Sequence, residues 1–338
     1  MILVTGGTGL VGSHLLLELA EAGERVRAIH RKGSSFEGVK RVFSYGRSPQ
    51  EAQRLFESVE WMEADTVEVP ALSKAFERIS LVYHCAALVS FNPSDNRKLR
   101  KINIEGTANV VNFCIENRVK KLCFVSSIAT YDLKLGQKKI HEESFWNKEL
   151  DHSMYAISKY GAEMEVWRAS QEGIPVVIVN PGVIIGPGFW DTGSGVMFKK
   201  IWKGLNYTFP KTTGFVGVKD VVGAMILLMN SDTENEEFLL VSENLSFKKI
   251  MGLIASSLKK PAPKNVLKPW MVFVGWLGQL FLSLFGKKRQ LTRDSSKNLF
   301  TDTYYDSSKF ITRFDYQFEK MEAVTERTGK YFRKEFTE

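Results

Sequence analysis

Apolar residues cluster in short uninterrupted runs along the first 180 residues: Ile2–Val4, Val26–Ile29, Leu81–His84, Lys121–Val125 and Pro175–Val179. Runs that do not alternate with polar residues predict strands covered on both faces, as in a parallel sheet. Amphipathic stretches lie between them at Leu10–Ala22, Asn96–Asn117 and Met154–Gln171. Strand and helix in regular alternation predict an α/β fold with a doubly wound parallel sheet.

The rhythm weakens after Pro181, where glycine, proline and aromatic residues thicken through Gly182–Gly217. Beyond it the pattern predicts a helix over Lys219–Met229, with Asp220 favourably placed in its first turn. A strand follows at Glu237–Val241, then a helix over Ser246–Leu258 with Ser246 as its N-cap. The expected division is a dinucleotide-binding domain over 1–180, with a return to its sheet at about 217–242. A smaller, discontinuous C-terminal region over 181–216 and 243–338 would bind substrate. No internal repeat or low-complexity tract interrupts this plan.

Pro269–Gly286 holds no charged residue and carries Trp270, Phe273, Trp276, Phe281 and Phe285, between Lys268 and the basic run Lys287-Lys288-Arg289. A membrane-spanning helix needs about 20 apolar residues, and this run also contains Gln279, Ser283 and glycines. Three readings fit, in this order: a helix covering an apolar pocket, a peripheral membrane anchor, and a true span.

Composition narrows the picture modestly. The 338 residues are 44% hydrophobic and 25% charged, with a net charge of +8, which excludes disorder and multi-pass membrane architecture. The basic residues are scattered without interleaved aromatic residues, so no nucleic-acid partner is expected. Cys85, Cys114 and Cys123 are odd in number and form no C-x-x-C pair. They read as reduced thiols of a cytoplasmic protein, and the strand pattern starting at Met1 predicts no leader.

Two motifs carry the chemistry. Thr5-Gly6-Gly7-Thr8-Gly9-Leu10-Val11-Gly12 follows the first strand and opens the first helix. Gly6, Gly9 and Gly12 permit a tight turn and a close approach of backbone N–H groups to a pyrophosphate, with the helix N-terminus adding positive charge. That context marks a Rossmann-type dinucleotide site. The second strand ends at His30-Arg31-Lys32 with no acidic residue to hold a ribose 2′-hydroxyl. Arg31 suits a 2′-phosphate, so NADP(H) is favoured over NAD(H).

Tyr155-Ala156-Ile157-Ser158-Lys159 places a phenol and an ammonium on one helix face. Lowering a tyrosine from about 10 to about 7 takes roughly 4 kcal/mol, and a neighbouring Lys159 cation acts in that direction. Tyr-x-x-x-Lys recurs at Tyr207/Lys211, Tyr305/Lys309 and Tyr316/Lys320. Only Tyr155 opens a helix after the fifth strand, whose end offers a hydroxyl at Ser127, with Ser126 as the alternative. The C-terminal ends of strands are where open α/β sheets collect their chemistry.

These residues resemble the extended short-chain dehydrogenase/reductase family. The matches run in order: TGGTGLVG at 5–12, Asp65 after the third strand, HCAA at 84–87, NIEGT at 103–107, VSS at 125–127, YAISK at 155–159, NPGVIIGP at 180–187 and VGVKDVV at 216–222. The resemblance implies roles by position. Tyr155 would be the general acid and base, Ser127 the group polarising a carbonyl, and Asn103 a supporting helix residue counted with the catalytic set. Lys159 would also hold the nicotinamide ribose. The implied cofactor contacts are Gly6, Thr8, Gly9, Leu10, Val11, Gly12, Arg31, Asp65 at the adenine, Thr66, Ala86, Ala87, Tyr155, Lys159, Asn180, Pro181 and Val183.

Members acting on nucleotide sugars carry R-P-x-N-V-Y-G-P after the sixth strand. Here Asn180 and Val183 replace the arginine and the asparagine, and Ile128-Ala129 stand where dehydratases place an acidic pair. The N-P-x-x-x-x-G-P form resembles dihydroflavonol-4-reductase-like and 3β-hydroxysteroid-dehydrogenase-like members, as do Leu291-Thr292-Arg293 and Thr303–Lys309. The expected activity is NAD(P)-dependent interconversion of a secondary alcohol and a ketone on a hydrophobic small molecule. A nucleotide-sugar epimerase using NAD is the first alternative, and a non-catalytic cofactor-bound sensor or scaffold the second. The resemblance further implies a homodimer paired through helices 96–117 and 154–171, and 269–286 offers a peripheral membrane contact.

Overall fold

The computed structural model describes residues 1–268, 271 and 300–337. The apolar run 269–286, Met271 apart, and Leu291-Thr292-Arg293 lie outside the described residues.

The chain opens with β1 (Ile2–Thr5), α1 (Leu10–Glu21), β2 (Val26–His30), α2 (Glu37–Ser44), α3 (Pro49–Glu57), β3 (Glu60–Glu63), α4 (Val69–Ala75) and β4 (Leu81–His84). It continues through α5 (Asn96–Leu99), a π-helical stretch (Arg100–Glu105), α6 (Gly106–Glu116), β5 (Lys121–Val125), α7 (Met154–Gln171) and β6 (Val176–Pro181). Then come β7 (Val183–Ile185), α8 (Gly195–Trp202), β8 (Tyr207–Thr208), β9 (Thr212–Gly217), α9 (Val218–Asn230), β10 (Glu236–Leu240), β11 (Glu243–Ser246), α10 (Phe247–Ser257) and β12 (Asn265–Val266). The chain closes with α11 (Ser308–Phe314) and α12 (Met321–Thr337).

Seven parallel strands form the central sheet in the order β10-β6-β5-β4-β1-β2-β3. Because successive side chains alternate between faces, each buried run feeds two cores. Ile2, Val4, Cys123, Val177 and Val179 join α1 and α9 on one side. Leu3, Leu122, Phe124, Val176 and Ile178 join α4, α6 and α7 on the other. Strand order reverses between β1 and β4, so the loops after these two strands diverge and leave a crevice at the carboxyl edge.

A second assembly sits at that edge. β11, β9 and β7 form a three-stranded sheet, and β12 pairs with β8. Phe215 of β9 packs there with Phe198 of α8, Ile254 of α10 and Phe332 of α12. Among the described strands after β6, β10 alone rejoins the main sheet, beside β6.

Several expectations are refined. The single helix expected over Asn96–Asn117 contains the π-helical turn, which brings Asn103 inward to bond the backbone of Leu88. β6 runs two residues beyond Val179, carrying Asn180 into the interior. Asp220 does lie in the first turn of α9, where its carboxylate accepts from the Tyr316 hydroxyl and the Glu319 amide. Ser246 caps α10 by accepting from Lys249 N. The three cysteines are free thiols.

Candidate active site

The glycine loop is built around two close approaches. Gly6 has φ +69°, a conformation that costs an ordinary side chain, and a Cβ there would lie 2.6 Å from Ala86 N. A Cβ on Gly12 would lie 2.2 Å from Gly6 O. Gly9 is the exposed N-cap of α1, with no side chain closing the helix and no acidic residue in the first turn. Thr8, Leu10 and Val11 are half-buried around it. An uncapped helix N-terminus with a bare backbone cradle fits a pyrophosphate. At the end of β2, Arg31 and Lys32 are exposed.

Of the other implied contacts, Ala86 lies at the crevice with its N–H donating to Thr5 Oγ1 at 3.2 Å, and Ala87 is exposed. Asp65 is half-buried and accepts from Val67 N, while Thr66 is buried against α6 with its carbonyl accepting from Asn109 Nδ2. Val183 is half-buried and Pro181 buried. Asn180, expected at the cofactor, is fully buried instead. Its Nδ2 faces Ser127 O, Thr130 Oγ1 and Glu163 Oε2.

α7 begins at Ser153, whose hydroxyl accepts from Ala156 N at 3.2 Å, placing Tyr155 and Lys159 in its first turns. Burial raises the Tyr155 phenol above its ordinary value, and the Ser127 hydroxyl within reach of it acts the other way; Ser127 Oγ also accepts from Ala129 N at 3.2 Å. Lys159 is almost fully buried; Nζ donates to Val125 O at 2.7 Å and stands 4.2 Å from the Phe124 ring centre. Burial pushes the ammonium down to about 7, against the raising influence of Glu163. Among the influences on Tyr155, burial rather than Lys159 is the largest. In this dry setting the phenol is raised, and the lysine's own charge is marginal near neutrality.

Asn103 does not touch these two side chains. Its Oδ1 accepts from Leu88 N at 2.7 Å, and its Nδ2 donates to Leu88 O and to Ser158 Oγ, which donates in turn to Tyr155 O. It is a positioning residue. The network reaches back to β1 through Thr107, His84 and Thr5. Thr107 Oγ1 donates to Asn103 O, His84 Nε2 lies 2.9 Å from Thr107 Oγ1, and Thr5 Oγ1 lies 2.6 Å from His84 Nδ1. With Thr107 already donating, the proton of His84 facing it sits on Nε2. Burial pushes this imidazole down to about 3.

Of the four Tyr-x-x-x-Lys pairs, only Tyr155/Lys159 shares a helix: Tyr207 lies in β8, Tyr305 precedes α11 and Tyr316 follows it. Sequence reasoning missed His84, Ser158 and Glu163 as parts of the site. It also missed Phe91, whose ring centre is 5.6 Å from that of Tyr155. Phe91 and Val89 are each 60% exposed, and Leu133, Leu135 and Phe145 in the loop before α7 are exposed as well. Among the described residues no acidic, histidine and cysteine cluster could hold a metal ion, and no helix is long and apolar enough to cross a membrane.

A glycine cradle at the sheet's switch point, with a Tyr-Lys helix facing it, defines a nicotinamide-dinucleotide enzyme of the extended short-chain dehydrogenase/reductase type. Residues 2–240 match the NAD dependent epimerase/dehydratase family, and the chain belongs to it. A putative dihydroflavonol 4-reductase of Synechocystis sp. is 29% identical over 91% of this chain and 87% of its own. The solved structure of gox2253 superposes with a TM-score of 0.82 at 24% identity, covering 99% of this chain and 98% of the other. A UDP-glucose 4-epimerase from Thermotoga maritima does so with a TM-score of 0.76 at 19% identity, covering 99% of both chains. At these identities the two structures speak to the fold alone.

Proposed function

We propose that this enzyme interconverts a secondary alcohol and a ketone on a hydrophobic small molecule, using NADP(H) in preference to NAD(H). The observation that carries the reading is the Ser127 hydroxyl within reach of the Tyr155 phenol, with the exposed Phe91 ring centre 5.6 Å from that of Tyr155. Two hydroxyl donors at one point suit a carbonyl oxygen, and an apolar rim suits an apolar substrate. The likeness to the Synechocystis reductase supports the same reading.

In the reductive direction Ser127 and Tyr155 donate to the carbonyl oxygen. A bound reduced nicotinamide supplies the hydride. Tyr155 then passes its proton to the oxygen, and the Lys159 cation stabilises the phenolate left behind. Gly6, Gly9 and Gly12 hold the pyrophosphate, and Arg31 pairs with a 2′-phosphate.

The test is NADPH oxidation by the purified chain against steroid, flavonoid and β-keto-acyl ketones. UDP-sugars are followed separately by an epimerisation readout. Turnover of an apolar ketone that falls at least ~100-fold in Tyr155→Phe supports the reading. Epimerisation of a UDP-sugar with silence on ketones overturns it. Arg31→Asp should weaken NADPH binding by roughly tenfold or more, about 1.4 kcal/mol, while sparing NADH. Equal losses for both cofactors would remove Arg31 from the cofactor assignment.

A further inference from the structure

The face of α7 that carries Tyr155 and Lys159 continues, one turn on, to Glu163. This side chain is only 4% exposed. Its Oε2 accepts from Ser126 Oγ at 2.6 Å and from Asn180 Nδ2 at 3.2 Å. Glu237 of β10 comes within hydrogen-bonding reach of Glu163, and Tyr131 lies beside Glu237. Glu237 Oε2, Tyr131 Oη and Asn180 Oδ1 are all buried without a well-formed hydrogen bond. Two ionised carboxylates have only acceptors to offer each other. Like charges in a dry site cannot both persist. A single proton between them turns the orphaned Glu237 oxygen into a donor to Glu163.

We propose that Glu163 and Glu237 share one proton, held on Glu237, and that the charge left on Glu163 keeps Lys159 cationic beside Tyr155. Its catalytic consequence rests on the reductase reading above. Glu163 is the ionised member because Ser126 and Asn180 both donate to it. Burial raises both carboxyls, and the charge of Glu163 raises Glu237 further, which favours the proton there. Lys159 faces Glu163 and Cys85, with neutral His84 nearby. Glu237 faces Glu163, Tyr131 and Lys309, and Tyr131 also faces Glu142. Without the charge on Glu163, the ammonium of Lys159 would lie below its present value of about 7. It would then be neutral at working pH, and the Tyr155 phenolate would lose its adjacent cation. Glu163 is thus a positioning residue that acts through Lys159.

The experiment is an NMR titration of the full chain labelled at the lysine ε-carbon, with Lys159 assigned through Lys159→Arg. In Glu163→Gln the Lys159 midpoint should fall by about one unit or more, a roughly tenfold loss of cation above the new midpoint. In Glu163→Asp and Glu237→Gln, which keep the charge, it should stay within about half a unit. An infrared carboxylic-acid band present in the wild type at pH 7 should vanish in Glu237→Gln. An unmoved Lys159 midpoint in Glu163→Gln, an equal fall in Glu237→Gln, or no acid band in the wild type would each overturn the proposal. If Glu163→Gln does not fold, the infrared band and the other two variants still decide. With an active ketone assay, the alkaline limb of turnover should move to lower pH with the Lys159 midpoint. The spectroscopic readouts need no turnover, so failure of the reductase reading is distinguishable from failure of this one.

Discussion

A methyl group on Gly12 has nowhere to go, because it would meet the carbonyl oxygen of Gly6 at 2.2 Å. The loop would have to open, and the cradle beneath a pyrophosphate would open with it. Gly12→Ala should therefore weaken NADPH binding by at least ~10-fold, about 1.4 kcal/mol. Titration calorimetry checks this, and an unchanged affinity would place the cofactor elsewhere. The glycines and the Tyr155/Lys159 pair were legible in the sequence because few residue types satisfy those demands at those spacings. Glu163 was not, since a glutamate on a helix reads as solvent-facing until the strand that buries it is known. The inward bonds of Asn180 were equally hidden, because only the extra length of β6 places that side chain beside Glu163.

At the scale of elements, the π-helical turn couples the loop after β4 to α7. Asn103 joins Leu88 to Ser158 across that gap. Asn103→Ala leaves both backbone groups of Leu88 and the Ser158 hydroxyl to find other partners. At about 1–3 kcal/mol for each group left buried and unpaired, a loss of roughly 3 kcal/mol in urea unfolding is expected. Turnover should fall more than NADPH affinity, because Tyr155 rather than the glycine loop loses its anchor. A loss of stability below about 0.5 kcal/mol would mean that water replaces the amide fully. Parallel strands dominated by consecutive apolar residues were visible in advance. β3 was implied only by the resemblance, which sets Asp65 after a third strand, because Glu60-Trp61-Met62-Glu63 is an edge strand with exposed acidic ends. β9 was missed: Thr212–Gly217 is buried throughout, yet two glycines and two threonines dilute its apolar signal. Both β9 and β7 depend on packing against distant α12, which no local pattern reports.

For the whole molecule, two buried imidazoles tie stability to pH. Burial holds His84 down to about 3 and His14 down to about 4, against an unfolded value of about 6.5. The unfolded chain binds protons first as pH falls, so stability is full above about 6.5 and is lost below it. Between pH 6.5 and pH 5 each histidine should contribute a loss approaching about 1.4 kcal/mol per pH unit. Urea midpoints at pH 8, 6.5 and 5 should show a plateau and then a fall; a midpoint still constant at pH 5 would contradict the neutral-imidazole network. The two lobes are fastened by α12. Tyr331 stacks on Tyr45 beside α2 with ring centres 4.0 Å apart, and Glu335 pairs with Arg41 and accepts from Trp190 Nε1.

The return of β10 to the main sheet has a consequence for biosynthesis. When the ribosome has made β6, the strand that will flank it does not yet exist. The stretch from Pro181 to Glu236 takes about 3–11 s to translate at roughly 5–20 residues per second. Throughout that interval β6, apolar along nearly its whole length, is a bare edge able to accept a strand from another nascent chain. Polysome crowding and codon choice over the stretch between those two strands should then govern the yield of soluble enzyme more than the same changes made upstream of β6.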